Sequence, residues 1–278
     1  MTESTTARAI DRAALLHAQQ RQALAAEPPW LHGEVARRMA ERLTVFKRVP
    51  AVVVDWWSRS GASGDLLRSA YPKAQHIRVE PEAVLRQPKA VAPWWSMQRR
   101  RTSEPVAESA VPDAQAQLLW ANMMLHAVAD PGALLAQWRK ALSMQGFVMF
   151  STLGPDSLKS LREVYRQAGW GPAHAPFVDM HDLGDMLVRA GFADPVMDQE
   201  MLRLTWATPA ALRTEEIGRH VVRVLVVPPA NIKGWDLRIG VVILFRVDAH
   251  LLPELVVLSA LPLLQHVRLE IGRQRQRR

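Results

Sequence analysis

The stretch from Ala51 to Glu80 constrains the fold most. Ala51-Val52-Val53-Val54 is a short, mostly β-branched run closed by Asp55. A loop with Gly61 and Gly64 follows, then a helical stretch over Asp65–Ala70 that Tyr71-Pro72-Lys73 stops. His76-Ile77-Arg78-Val79 reads as a second strand, closed by Glu80-Pro81. Strand, glycine-bearing turn, helix, strand and acid make one right-handed βαβ unit of a doubly wound fold. Strands this short and apolar belong inside a parallel sheet covered on both faces.

The rest of the first 200 residues extends that unit. Pro28-Pro29 separates an opening helix, with Ala13, Leu15, Leu16 and Leu24 apolar, from a second helix over Leu31–Phe46. In the second, Val35, Met39, Leu43 and Phe46 recur at helical spacing. Pro88–Pro112 reads as a loop with one short strand near Val106-Ala107. Ala116–Ala121 and Phe147–Phe150 read as further strands. Between them, Asp130-Pro131 opens a helix with Leu134, Leu135, Trp138 and Leu142 on one face, and Gly146 closes that region. Asp156 and Asp182 read as caps of two more helices, which Gly169 and Gly191 stop. Helices alternating with strands over Ala51–Gln199 indicate an α/β three-layer sandwich with N-terminal helices.

Composition narrows the chemistry. The chain has no cysteine, which removes disulfides, thiolate nucleophiles and zinc–thiolate sites. His174 and His181 have no acid at ligand spacing, so no metal site is expected. From Arg213 onward there are eleven basic and six acidic residues, which supply +5 of the net +8. The basic balance is therefore largely a property of the tail, and no nucleic-acid partner is expected. The charge-free run Leu255–Val267 is too short to span a bilayer, and Thr6–Ala25 lacks the apolar stretch of a signal peptide. A cytoplasmic protein without a membrane partner is the expectation.

Glu80 is the first candidate for a ligand contact. It ends the second strand 19 residues after Gly61, where an acid accepts hydrogen bonds from ribose hydroxyls in doubly wound folds. The plain alternative is a solvated carboxylate before a proline. Tyr165 lies at helical spacing with core residues, Arg99-Arg100-Arg101 reads as a solvated loop or as a basic rim that steers an acidic partner protein, and Trp94-Trp95 lines an apolar pocket or packs that loop.

Three longer segments carry a resemblance. They are Leu118-Leu-Trp-Ala-Asn-Met-Met-Leu-His126, Gly146-Phe-Val-Met-Phe-Ser-Thr-Leu-Gly-Pro-Asp156 and His181-Asp-Leu-Gly-Asp-Met-Leu-Val-Arg-Ala-Gly-Phe-Ala-Asp194. Over roughly Trp30 to Thr208 the chain resembles the malonyl-acyl-carrier-protein O-methyltransferases of biotin biosynthesis, a branch of the Rossmann-like class I S-adenosylmethionine methyltransferases. The resemblance implies S-adenosylmethionine as cofactor and the free carboxyl of a malonyl thioester on acyl carrier protein as acceptor. It implies no dedicated nucleophile, because a carboxylate is already ionised near neutral pH. By the same resemblance Asp55, Gly61, Glu80 and Asn122 surround the cofactor, and His126 faces the substrate cleft. Asn122 capping a loop and His126 as a packed histidine are the structural alternatives.

The chain departs from the family pattern Asp-x-Gly-x-Gly-x-Gly. Its aligned run is Asp55-Trp-Trp-Ser-Arg-Ser-Gly61, with Trp57 and Arg59 at two glycine positions. Either that loop takes another path, or the site no longer uses the cofactor and the protein is a catalytically decayed binding module. After about Ala211 the resemblance ends, abruptly enough to suggest a reading-frame shift in the source gene. The expected organisation is a helical segment over 1–48, a methyltransferase-like domain over 49–212 and an atypical basic segment over 213–278. Val221–Val227 and Val241–Val247 are candidate strands, since β-branched composition favours them. The residues beyond Thr214 are nevertheless expected to pack poorly on a sheet that lacks its closing strands.

Overall fold

The computed structural model describes residues 10–25, 27–86, 103–205 and 234–245. In chain order these give α1 (Arg12–Leu24), α2 (Trp30–Glu41), β1 (Val52–Trp56), α3 (Ser58–Gly61), α4 (Gly64–Ala70), β2 (Gln75–Glu80) and α5 (Glu82–Leu85). There follow β3 (Val106–Ala107), β4 (Ala116–Ala121), α6 (Pro131–Ala141), β5 (Leu142–Leu153), α7 (Lys159–Ala168), α8 (Met180–Arg189), β6 (Ala193–Thr205) and β7 (Gly234–Phe245). One seven-stranded sheet has the order β3-β2-β1-β4-β5-β7-β6. The first five strands are parallel, and β7 runs antiparallel between β5 and β6.

Alternation along the strands builds the two faces. Val53, Leu118, Trp120, Phe147 and Met149 pack with Leu31, Val35 and Met39 of α2, Leu67 of α4 and Leu161 of α7. Their immediate neighbours Val54, Leu119, Val148 and Phe150 point the other way, onto Leu134, Leu135 and Trp138 of α6 and Leu183 and Leu187 of α8. A period of two along strands buried on both sides gives the three layers. Helix α2 is also tied to the far end of the sheet. The buried Arg38 pairs with Glu34 of its own helix and with Glu200 of β6, and Arg42 pairs with Asp198.

Several expectations are corrected. The helix read over Leu31–Phe46 is α helical only to Glu41 and finishes in a 3₁₀ turn over Arg42–Val45. Asp130 caps α6 as expected, accepting from the Ala133 amide at 2.9 Å. Asp156 and Asp182 do not cap. Leu158 is the cap residue of α7 and makes no side-chain cap bond, and Asp179 caps α8, accepting from the His181 amide at 2.9 Å. Leu142 and Gly146 lie inside β5, where the pairing with β4 shifts register between Ala116 and Leu118.

The largest correction concerns the chain beyond Thr214. Residues Gly234–Phe245 form β7, and their pairing with both β5 and β6 closes the sheet. The β-branched run Ile239-Gly-Val-Val-Ile-Leu-Phe245 favours a strand, and the charges at Arg246, Asp248 and Glu254 fall after it rather than within it. The readings at Trp94-Trp95, Arg99-Arg100-Arg101 and Val221–Val227, and those beyond Phe245, lie outside the described residues.

Candidate functional site

The parallel strands bring their carboxyl ends together, which is where open α/β sheets bind ligands. Asp55 is next to last in β1, Glu80 ends β2, and Glu108 directly follows β3. Pairing sets Trp56 beside Val79, and Glu80 beside Ala107.

The loop after β1 turns back sharply. Trp57 has φ 53° and ψ 48°, the left-handed region, and Ala62 has φ 57°. A left-handed residue ordinarily favours glycine because a Cβ crowds the backbone there. Here tryptophan and alanine hold both such positions. The retained Gly61 lies in the single helical turn α3, where an added Cβ would meet only ordinary contacts. The backbone therefore makes a tight turn after β1 without the expected glycines. The Trp57 indole is buried, and its Nε1 donates to Glu108 Oε1 at 2.7 Å. Trp56 Nε1 donates to the same oxygen at 3.0 Å.

Glu80 is buried, and its Oε1 accepts from Ser58 Oγ and from the Arg59 amide, both at 2.7 Å. Arg78 Nε donates to Ser58 Oγ at 3.2 Å, so an arginine stands behind the serine that holds the acid. Burial raises the Glu80 carboxyl above the usual range, and the Ser58 and Arg59 donors oppose that rise. Asp55 is pushed up to about 8, first by burial and then by the neighbouring Glu80 charge. Its Oδ1 has no hydrogen-bond partner among the described residues. Burial also raises Glu108, against the pull of the two indole donors.

Asn122 sits just past β4, fully buried, with its amide committed. Nδ2 donates to the carbonyls of His32 at 2.7 Å and Gly61 at 2.6 Å, and Oδ1 accepts from Ser151 Oγ at 2.7 Å. Ser63 adds a second tie, accepting from Trp120 Nε1 at 2.6 Å and donating to the Gly61 carbonyl at 3.0 Å. His32 Nδ1 lies 2.7 Å from the Ser60 carbonyl, a contact in which the ring donates. Asn122 thus fastens α2, the β1 loop and β5 to one another. His126 lies in a 3₁₀ turn over Leu125–Ala127, with its ring edge-on to Phe177 at 6.1 Å. His174 stacks on the same ring at 4.3 Å. Tyr165 is half-buried and meets Trp170 edge-to-face.

A narrow cleft opens at Glu80, lined also by Trp57, Arg59, Ser60, Pro81 and Val84 and by Gln19 and Gln22 of α1. Of the five residues singled out from sequence, only Glu80 lines it. Asp55, Gly61 and Asn122 support the loop, and His126 lies elsewhere. Sequence reasoning passed over Ser58, His32, Ser63, Ser151 and Glu108. Glu108 carries a usable signal, since it closes its strand with an acid as Asp55 and Glu80 close theirs. Among the described residues no group of three or more His, Cys, Asp or Glu side chains is placed to hold a metal ion, and no helix is long and apolar enough to cross a membrane.

Comparison with known proteins bears on the family and the fold. The family described as "Methyltransferase domain" matches residues 18–194. The malonyl-[acyl-carrier protein] O-methyltransferase of Laribacter hongkongensis is 36% identical over 200 residues, covering 68% of this chain and 67% of that protein. The protein of the same name from Gallionella capsiferriformans is 39% identical over 182 residues, covering 63% of each. The chain thus matches about two thirds of the length of these relatives. Among solved structures, YcgJ from Bacillus subtilis superposes with TM-score 0.51 at 11% identity, covering 77% of this chain and 99% of that one. The Burkholderia thailandensis 1,6-didemethyltoxoflavin-N1-methyltransferase superposes with TM-score 0.50 at 18% identity, covering 85% and 88%. These likenesses establish the class I methyltransferase fold. On the family match and the identity to curated relatives, the chain belongs to the methyltransferase family, in the branch of the malonyl-[acyl-carrier protein] O-methyltransferases.

Proposed function

We propose that the chain is an S-adenosylmethionine-dependent O-methyltransferase that esterifies the free carboxyl of a malonyl thioester on acyl carrier protein, a step of biotin biosynthesis. The observation that carries the cofactor reading is the acid at the end of β2, facing a cleft beside the tight turn after β1. The acceptor reading rests on the names of the relatives.

The residues present fit the cofactor's polar groups. Glu80 Oε1 is taken by Ser58 and Arg59, which leaves Oε2 to accept from a ribose hydroxyl. The Gln19 and Gln22 carboxamides stand across the cleft as further donors and acceptors. The Arg59 side chain at the cleft is exposed, so it can move aside for a nucleoside. Bound there, the sulfonium cofactor supplies an electrophilic methyl group. The acceptor carboxylate needs no general base near neutral pH. The task of the side chains is orientation and exclusion of water. Asn122, Ser63 and Ser151 hold the loop rigid beneath the ligand.

Calorimetric titration with S-adenosylhomocysteine tests this reading. Saturable binding is expected, weakened by about 1–3 kcal/mol in Glu80→Ala, the scale of hydrogen bonds to a charged group. Absence of binding by the parent chain would instead support the decayed module that the Trp57 and Arg59 substitutions raise.

A further inference from the structure

Three adjacent parallel strands, β1, β2 and β3, end side by side, and the acid after β3 does not face the cleft. Glu108 turns its carboxylate to the two consecutive tryptophans of β1 and its loop. One oxygen, Oε1, accepts from Trp57 Nε1 at 2.7 Å and from Trp56 Nε1 at 3.0 Å. Hydrogen bonds to an ionised acceptor are roughly twice as strong as neutral ones.

Trp57 needs that support. Its backbone is left-handed, a conformation that a residue with a Cβ adopts only when its surroundings impose it. Glu108 is itself anchored from outside the loop. Its carbonyl accepts from Gln137 Nε2 of α6 at 2.6 Å. The next residue, Ser109, donates to Glu82 Oε1 at 3.0 Å, which places a second carboxylate nearby. The consequences of the turn lead directly to Glu80. The Trp57 carbonyl accepts from the Gly61 amide at 2.9 Å and from Ser60 Oγ at 3.0 Å, which fixes α3. That turn then presents Ser58 Oγ and the Arg59 amide to Glu80.

We propose that Glu108 is a positioning residue of this site: by clamping the Trp56 and Trp57 indoles it imposes on a tryptophan the turn that glycine would adopt unaided, and so sets the geometry around Glu80. The inference rests on the proposed function in taking the cleft at Glu80 as the cofactor site. It makes Trp57 and Glu108 a coupled pair that compensates for the lost glycine.

The coupling is the test. Amide hydrogen exchange of the segment 57–61 and the dissociation constant for S-adenosylhomocysteine are measured in the parent, Glu108→Leu, Glu108→Gln, Trp57→Gly and the Trp57→Gly/Glu108→Leu double variant. Glu108→Leu should speed exchange about tenfold and weaken binding by a similar factor, with Glu108→Gln intermediate because its amide oxygen still accepts. In the Trp57→Gly background, removing Glu108 should change either quantity less than about threefold, since glycine needs no clamp. Equal effects of Glu108→Leu in both backgrounds, or unchanged exchange in Glu108→Leu, would overturn the inference. If Glu108→Leu does not fold, Glu108→Gln with and without Trp57→Gly makes the same comparison. If the parent binds no S-adenosylhomocysteine, the cofactor reading fails while the exchange data still decide the clamp.

Discussion

Asp55 lies between Arg78 of β2 and Trp120 of β4, buried and with one oxygen unpartnered. Its carboxyl is pushed up to about 8 from 3.8, so the folded state holds a proton that the unfolded chain releases near pH 4. The sign follows from linkage: wherever the folded state binds more protons, stability falls as pH rises. The Asp55 contribution is therefore full below about pH 4 and is lost as pH rises to about 8. Replacing Asp55 by Asn, which cannot ionise, should flatten the fall in melting temperature between pH 5 and pH 8, an interval of order 3 units in which this linkage operates. A variant whose melting temperature tracks the parent's across that range would show that Asp55 is not buried as a neutral acid. At this scale the sequence was legible where a side chain's place follows from its strand, as for Glu80. It was misleading where backbone conformation was inferred from residue type. The missing glycines left open a loop on another path or a lost cofactor site, and Trp57 takes up the left-handed turn through tertiary contacts that no local pattern encodes.

At the scale of elements, apolar periodicity located each of β1, β2, β4, α6, α7 and α8, because helices and strands must each bury a face. It was less sure of their ends. Asp182 read as the cap of α8, whereas Asp179, three residues earlier, sits where its side chain meets a free amide. Leu142 read as part of the helix face and Gly146 as closing that region, whereas β5 begins at Leu142 and runs through Gly146 with a register shift against β4. Gly146 makes that shift possible. A Cβ there would press on the Ala116 carbonyl oxygen well inside contact distance and crowd Leu142 and the Ser143 carbonyl. Gly146→Ala should destabilise the fold by about 1–3 kcal/mol, the usual cost of forcing atoms into a packed interior. Urea denaturation measures this, and a change below about 0.5 kcal/mol, typical of an uncrowded surface site, would count against the close approach.

For the whole molecule, the parallel pairing of β1 with β2 and β4 brings their carboxyl ends together, where Trp57, Glu80 and Asn122 gather around a single loop. The α/β layering was legible from alternating apolar runs. The β-branched run at Val241–Val247 was legible as a strand, but its pairing between β5 and β6 was not, because the family pattern stops before it. Methyl transfer by this chain is tested most directly by the intact mass of malonyl-acyl carrier protein incubated with the chain and S-adenosylmethionine. The predicted result is a carrier protein heavier by one methylene group, formed more slowly by Glu80→Ala and restored by raising the cofactor concentration. An unchanged mass with the parent chain at every cofactor concentration would contradict the claim.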